Sequence, residues 1–220
     1  MLEIRNTKVY DLKESIIACR NAMRLELSDY SEEDFQKSFE RAKKLVQASK
    51  NGVVKCHDNF LTGIRVSFDL KYPQYISPEI QRYHFFDIVT SMSKMHRLIK
   101  MDFEKCCNKY VTRESIEQMK RLIAEYNTIS NELVLDGYHD DHAERLYEAW
   151  MKVVSNCPPG LEMWERCSTN YKQLQTMYFQ RKGHKLKEDW GNFLSWIESL
   201  PYSHELIIGD IKDNLSCISD

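Results

Sequence analysis

The sequence has little glycine and proline, with 7 and 5 of them among 220 residues. This scarcity excludes collagen-like, linker-rich and low-complexity chains, and it favours long helices over many tight turns. No apolar run approaches the length that spans a bilayer, and no signal peptide is recognised. We therefore expect one globular domain with no membrane partner.

The sequence also lacks an excess of charge of either sign. It has 31 lysines and arginines against 33 aspartates and glutamates, a formal net charge of −2. A chain without a basic field is not expected to bind nucleic acid nonspecifically.

The sequence also lacks the cysteine and histidine spacings that are typical of metal sites and redox motifs. The seven cysteines are odd in number, and none forms a Cys-x-x-Cys pair. Reduced thiols and a cytoplasmic location are the expectation. The neighbours Cys56 and His57 could suggest a cysteine nucleophile with a histidine base. Adjacency in sequence does not bring the thiol within hydrogen-bonding distance of the imidazole, and buried, unreactive thiols are more common than nucleophilic ones. The run from His139 to His142 has no supporting HExxH or Cys-His framework, so we expect a polar helix start and no metal.

Aromatic residues and methionine are plentiful, which suits a well-filled core, and the periodicities predict an α+β fold in which helices dominate. Strands are predicted over 3–10 and 64–71. Ser31 and Asp34 have the spacing of a capping box before a helix to about Ser49, ended by Asn51-Gly52. Further helices are predicted over 78–98, 113–135, 141–154, 169–190 and 188–200.

A polar stripe runs along the predicted helix at 169–190. Asn170, Lys172, Thr176 and Arg181 offer an amide, two cations and a hydroxyl along one side. Such a set suits an anionic, hydrogen-bonding ligand such as a nucleotide. A solvated outer face explains the same residues and is the commoner situation.

A second cationic segment extends from Gln81 to Arg97. It holds two arginines, a lysine, two histidines and two serines between the best predicted strand and the next helix. Cations and hydroxyls at such a junction suit phosphate, because the amides at a helix start add donors. The alternative is a helix that buries its apolar side and solvates its charges.

Taken in their order along the chain, these segments resemble the sequence motifs of the flavin-dependent thymidylate synthases (ThyX). Ala18-Cys19-Arg20 and Ala22-Met23-Arg24 are similar to the turn after that family's first helix. The family has Gly-His before a long strand, and Cys56-His57 stands there. Gln81-Arg82-Tyr83-His84 corresponds to the start of its Arg-His-Arg-x-x-Ser-x-Asn-Glu-x-Ser-x-Arg-Tyr signature. Asn170-x-Lys172-x-x-x-Thr176-x-x-x-x-Arg181 keeps the spacing of its C-terminal motif.

The sequence departs from the family at several of these positions. Tyr83 replaces a histidine and His84 an arginine, while Val89 and Thr90 stand where the signature has Asn and Glu. Lys172 replaces an arginine, and a lysine cannot reproduce a bidentate guanidinium contact. Thr176 replaces an asparagine.

The resemblance implies a helix-rich single domain over residues 1–220 with a central, mainly antiparallel sheet and a helical segment at roughly 100–155. It implies a cytoplasmic homotetramer that binds FAD and a pyrimidine deoxynucleotide, dUMP, at subunit junctions. NADPH and methylenetetrahydrofolate would be the co-substrates, and no cysteine nucleophile is needed.

The resemblance also implies site residues. Arg181 would stabilise charge on the pyrimidine, with Ser91 or Ser93 holding phosphate. The residues that would contact the cofactor are His57, Arg82, His84, Asn170 and Thr176. Substrate contacts fall to Gln81, Lys94, Arg97, Lys172 and Arg181.

Three hypotheses follow. The first is a divergent flavin-dependent thymidylate synthase. The second keeps the scaffold as a nucleotide-binding or regulatory protein without catalysis, in a phage or mobile-element setting. The third is a helical interaction protein with no ligand pocket.

Overall fold

A computed structural model describes residues 2–26, 30–50, 57–136 and 140–209. Its strands are β1 (Glu3–Tyr10), β2 (Arg65–Pro73), β3 (Asp87–Ser91) and β4 (Glu162–Asn170). Its α-helices are α1 (Leu12–Ala18), α2 (Glu32–Lys50), α3 (Ser77–Ile80), α4 (Lys94–Arg97), α5 (Phe103–Cys106), α6 (Arg113–Asp136), α7 (Asp140–Ser155), α8 (Tyr171–Arg181) and α9 (Lys187–Glu198). Short 3-10 turns occupy Asn21–Met23, Asn59–Thr62, Gln74–Ile76 and Leu98–Lys100, and His204–Ile208 forms one π-helical turn.

The four strands form one antiparallel sheet in the order β1-β2-β4-β3. Along β2 the residues Val66, Phe68 and Leu70 are fully buried, and the residues between them are at least partly exposed. This period of two is the pattern of a strand with one face on a core. The predicted strands at 3–10 and 64–71 are confirmed, and so is the helix-rich α+β class.

The start of α2 has the predicted capping box. The hydroxyl oxygen of Ser31 accepts a hydrogen bond from the Asp34 amide at 3.1 Å, and the Ser31 amide donates to the Asp34 carboxylate at 3.4 Å. The two side chains thus satisfy donors that a helix start leaves unpaired. The predicted stop at Asn51-Gly52 lies outside the described residues.

The predicted helix over 78–98 is wrong. Helix α3 ends at Ile80, and the chain continues through a turn into β3 before the four-residue α4. Three consecutive β-branched residues, Ile88, Val89 and Thr90, lie in β3, where their side chains are accommodated better than in a helix.

The single helix predicted over 169–190 is also wrong. Thr169 and Asn170 end β4, α8 runs from Tyr171 to Arg181, and α9 begins at Lys187. Between the helices Gly183 has a φ of +81°, a left-handed conformation that ends a helix and that glycine adopts without steric cost.

The chain divides into two compact units. The first, here called the helical unit, comprises residues 71–80 and 90–165. Its core contains Leu98, Phe103, Met119, Val153 and Leu161. Helices α6 and α7 pack against each other, and Tyr126 and Trp150 place their ring centroids 5.9 Å apart. The helices predicted at 113–135 and 141–154 are confirmed.

The second, here called the cleft unit, comprises residues 2–70, 81–89 and 166 onward. Phe68, Phe193 and Trp196 form an aromatic cluster, with ring centroids 4.4 to 6.5 Å apart. The Trp196 indole donates to the hydroxyl oxygen of Thr7 at 3.0 Å, which attaches α9 to β1. Of the helices that the structure describes, none has the length and apolarity to cross a membrane.

Candidate nucleotide site

A cleft of about 490 Å³ lies in the cleft unit between one face of α8 and the turn before β3. From α8 it is lined by Gln173, Thr176, Gln180 and Arg181, and from the turn by Arg82, Tyr83 and His84. Gln173, Thr176 and Gln180 are three, four and seven residues apart, so they share one face of α8, and Arg181 is the last residue of that helix.

The guanidinium of Arg181 is held in place on several sides. Its Nε donates to the Tyr83 hydroxyl at 2.7 Å. The guanidinium carbon lies 5.3 Å from the centre of the Tyr83 ring and 4.3 Å from that of Trp190. Both distances are within the range of cation–π attraction. Trp190 is only 1% exposed, so this support is part of the rigid core.

The electrostatic character of the cleft is cationic. Arg82 and Arg181 contribute fixed positive charge, and His84 adds an imidazole. Among the described residues that line the cleft there is no carboxylate. Thr176 and the two glutamines supply hydrogen-bonding groups beside these cations.

Two residues of the predicted stripe make internal contacts. Asn170 is the N-cap of α8, where its side-chain oxygen accepts from the Gln173 amide at 2.9 Å. The Lys172 ammonium donates to the Asp58 carboxylate at 2.5 Å and to the Gln175 side chain at 3.0 Å. Neither residue is among those that line the cleft. Their predicted ligand contacts remain predictions.

The Asp58–Lys172 pair joins α8 to the turn that follows His57. Asp58 is fully buried, and one of its carboxylate oxygens, Oδ1, has no hydrogen-bond partner among the described residues. The Nε2 amide nitrogen of the neighbouring Gln175 is also buried without a described partner. A buried carboxylate depends on its cation, so Lys172 balances a charge that would otherwise be costly.

His57 lies in a different cleft, of about 400 Å³, which also contains Cys19 and Gly63. Burial raises the pKa of the Cys19 thiol to about 11, which keeps it neutral at physiological pH. The cleft is therefore lined by an imidazole and by a thiol that stays protonated. The other half of the Cys56-His57 pair lies outside the described residues.

The remaining predicted residues belong to other surfaces. Ser91 is exposed at the end of β3, and Ser93 caps α4 by accepting from the His96 amide at 3.3 Å. The Lys94 ammonium donates to the Gln74 side chain at 3.3 Å, and Arg97 is exposed at the end of α4. These four lie in the helical unit. Gln81 is exposed in the cleft unit and does not line the cleft.

Sequence reasoning missed three lining residues: Tyr83 as the support of Arg181, and Gln173 and Gln180 as polar groups. The spacing 173, 176, 180 identifies the two glutamines as face-mates of Thr176 once the start of α8 is known. No local pattern predicts the contact between Tyr83 and Arg181, since 98 residues separate them.

The described residues contain no group of three or more His, Cys, Asp or Glu side chains suited to a metal. His139, the first residue of the run from His139 to His142, lies outside the described residues. A third cavity, of about 560 Å³, is lined by residues including Lys43, Tyr178 and His204, and by none of the predicted site residues.

Comparisons with known proteins give no match to a protein-family model and none to a curated protein. Solved structures do match. A flavin-dependent thymidylate synthase from Helicobacter pylori, complexed with FAD and dUMP, is 16% identical with a TM-score of 0.61, covering 94% of this chain and 98% of its own. A second structure of that enzyme with the same two ligands is 17% identical with a TM-score of 0.58, covering 96% and 98%.

A third match is the UMP/dUMP methylase PolB from Streptomyces cacaoi, bound with 5-Br dUMP. It is 13% identical with a TM-score of 0.52, and the match covers 94% of each chain. At 13–17% identity these matches are evidence about the fold alone. They point to the same family that the order of the sequence motifs resembles. The chain has the fold of the flavin-dependent thymidylate synthases.

Proposed function

We propose that this protein is a divergent flavin-dependent thymidylate synthase that binds dUMP in the Arg181 cleft and converts it to dTMP. FAD is its proposed cofactor, and NADPH and methylenetetrahydrofolate are its co-substrates. The observation that carries the proposal is a fixed arginine in a cationic cleft, on the fold of enzymes solved with FAD and dUMP.

The chemistry of the cleft fits a pyrimidine nucleotide. Its volume of about 490 Å³ is within the usual range of small-molecule sites. A glutamine side chain both donates and accepts, as the edge of a uracil ring does, so Gln180 and the amide nitrogen of Gln173 suit base recognition. Arg82 and His84 offer donors to a phosphate or to the flavin.

Arg181 is the residue we assign to charge stabilisation. When a nucleophile or hydride adds to a pyrimidine, negative charge develops on the ring and its carbonyl oxygens. A guanidinium already oriented by Tyr83 and Trp190 stabilises that charge without reorganising. Lysine at this position would lose the planar fork that both contacts require.

The cofactor would supply the redox chemistry, since reduced flavin carries the hydride for such a methylation. FAD is a dinucleotide and exceeds what one mononucleotide-sized cleft encloses. We therefore propose a homotetramer in which Ser91, Ser93, Lys94 and Arg97 contribute phosphate contacts, and in which His57 contacts flavin. A cytoplasmic location belongs to the same proposal.

The second candidate is a ThyX-like nucleotide-binding or regulatory protein without catalysis, in a phage or mobile-element setting. Two observations favour it. Val89 and Thr90 replace the polar Asn and Glu of the signature, and the Lys172 ammonium is engaged by Asp58. The cleft itself is common to both candidates.

Release of tritium from 5-labelled dUMP, assayed with FAD, NADPH and methylenetetrahydrofolate, tests the first proposal. We expect release that depends on all three. No release, together with thermal stabilisation by dUMP alone, would support the binding protein instead. No stabilisation by dUMP or FAD would reject both and leave an interaction protein.

Arg181→Gln is the decisive variant, with Arg121→Gln as its matched control. Arg121 is an exposed arginine of α6, so its loss removes the same charge elsewhere. Arg181→Gln should lower turnover by at least about 100-fold, the usual cost of losing a donor at a developing charge. Equal turnover in the two variants would refute the assignment.

A further inference from the structure

Gln173 is a buried polar residue that lines the Arg181 cleft. It is only 8% exposed, whereas Gln180, the other glutamine of the cleft, is exposed. A side-chain amide has an acceptor end and a donor end, and a buried one is ordinarily held by hydrogen bonds. The contacts of Gln173 therefore decide which of the two ends faces a ligand.

The turn before β3 fixes the orientation of this amide. The backbone amide of Phe85 donates to the Gln173 Oε1 atom at 3.3 Å. Only the oxygen of a glutamine can accept that N–H group, because the reversed side chain would set two donors against each other. The Oε1 atom is therefore engaged by Phe85, and the Nε2 atom keeps its N–H donors for another partner.

Both partners of this hydrogen bond are themselves held in place. The Phe85 carbonyl accepts from the Thr169 hydroxyl at 2.8 Å, and Thr169 is only 1% exposed at the end of β4. The backbone amide of Gln173 donates to the side chain of Asn170, the N-cap of α8, at 2.9 Å. The backbone on each side of the contact is thus anchored, which keeps the Gln173 amide in one orientation.

The donor end of Gln173 is available to a ligand. Its Nε2 atom makes no hydrogen bond to another residue in the part of the chain that the structure describes. It is also not one of the enclosed atoms without a partner, unlike the Nε2 atom of Gln175, so it reaches the open space of the cleft. The Gln180 side chain has no hydrogen bond to a described residue, so its amide can present either end.

We propose that Gln173 is a specificity-determining residue that contacts position 4 of the pyrimidine and makes the cleft prefer uracil to cytosine. This inference rests on the proposed function, because the cleft must first hold a pyrimidine nucleotide. Uracil has a carbonyl oxygen at position 4, which accepts from the Gln173 Nε2 atom. Cytosine has an amino group there, so two donors meet and neither finds an acceptor. Gln180 does not discriminate, because its unrestrained amide suits either group.

Equilibrium binding of dUMP and dCMP to the full chain tests this role. The two nucleotides carry the same charge, so general electrostatic effects cancel in the ratio of their dissociation constants. We expect dUMP to bind at least about tenfold more tightly, since a donor left unpaired in a buried site is costly. Equal affinities, or tighter binding of dCMP, overturn the role of Gln173, while the tritium-release assay still decides the proposed function. Failure of both nucleotides to bind overturns the proposed function itself.

Gln173→Glu is the decisive variant, with Gln180→Glu as its matched control in the same cleft. A glutamate at position 173 still accepts from the Phe85 amide but offers the ring an acceptor in place of a donor. It should lower the preference for dUMP over dCMP by at least about tenfold. Gln180→Glu brings the same negative charge and should weaken both nucleotides while the preference remains.

Gln173→Met is a second variant of similar length without either hydrogen-bonding group. It should abolish the preference by weakening dUMP alone, and it gives the same test if Gln173→Glu does not fold. A preference that survives substitution of Gln173, or that changes equally in Gln180→Glu, overturns the assignment.

Discussion

At the residue scale, the cleft depends on how Arg181 is oriented. The family signature has a histidine where this chain has Tyr83, and the structure gives that tyrosine a definite contact. Its hydroxyl accepts from the arginine at 2.7 Å, and its ring lies beneath the guanidinium. The departure from the family thus supplies a support for the residue that the proposal uses most.

Replacing Tyr83 by phenylalanine should weaken dUMP binding about threefold to tenfold, because the arginine loses a hydrogen bond to a charged group that orients it. The melting temperature should change little, since the buried ring remains. Tyr178→Phe is the matched control, because its hydroxyl bonds Glu198 at 2.7 Å and does not line the cleft. Equal dUMP affinity in the parent and Tyr83→Phe would contradict the orienting contact.

The Asp58–Lys172 pair predicts a measurable coupling. Lys172→Met leaves a buried carboxylate without its cation and should lower the free energy of unfolding by about 2 kcal/mol. This loss is smaller than that expected for breaking a fully buried ion pair, because the Lys172 side chain is 36% exposed. Adding Asp58→Asn should restore part of that loss. Urea unfolding of the two single variants and the double variant measures the coupling, and strictly additive effects would argue against it.

Glu165 in the helical unit predicts a pH dependence of stability. Burial raises the pKa of its carboxyl, while the hydrogen bond from the Tyr72 hydroxyl opposes that shift. A carboxyl with a raised folded pKa contributes stability below its unfolded pKa of about 4.5, and that contribution is lost as pH rises through the folded value.

Glu165→Gln should therefore gain stability relative to the parent as pH rises from about 4 to about 7, since glutamine stays neutral and still accepts from Tyr72. Unfolding free energies at several pH values give the comparison, with the exposed Glu144→Gln as control. If the stability of Glu165→Gln relative to the parent instead fell as pH rose over this range, the raised pKa of Glu165 would be contradicted.

At the scale of elements, local signals predicted what local interactions determine. The capping box at Ser31 and the alternation along β2 are each contained within a few residues, and both are confirmed. Strand β4 was missed because its pairing is set by distant residues, such as the contact of Arg166 with Asp69 at 3.0 Å. The boundary between β4 and α8 depends on the same pairing, so the sequence pattern places Asn170 inside a helix although it ends β4 and caps α8.

Asn170 as an N-cap predicts a stability effect at the start of α8. Asn170→Ala should lower the free energy of unfolding by about 1 kcal/mol, whereas Asn170→Ser should retain most of it, because serine also caps. Thermal unfolding of the two variants measures the difference. Parent-like stability in Asn170→Ala would rule out the capping contribution.

The same pair of variants separates capping from ligand contact. If Asn170 also contacts the cofactor, as the resemblance implies, then Asn170→Ser should lose FAD affinity while its stability holds. The side-chain amide nitrogen is the group available for that contact, since the oxygen accepts from Gln173.

At the scale of the whole molecule, the fold was predictable although some individual elements, such as β3 and β4, were not. The motifs occur in the order that the family requires, and the solved ThyX structures match along nearly the full length at 16–17% identity. The composition of the cleft was only partly predictable. Arg82, His84, Thr176 and Arg181 were anticipated and lie together, whereas Tyr83, Gln173 and Gln180 depend on where the helix begins.

Flavin retention tests the central claim most directly. The purified protein is mixed with FAD, desalted, and its visible absorption spectrum is recorded with and without dUMP. The proposed function predicts that flavin absorbance remains with the protein and that dUMP perturbs the flavin spectrum. In Arg181→Gln, dUMP should perturb that spectrum far less. A colourless protein after reconstitution, in a sample that is folded by circular dichroism, would contradict it.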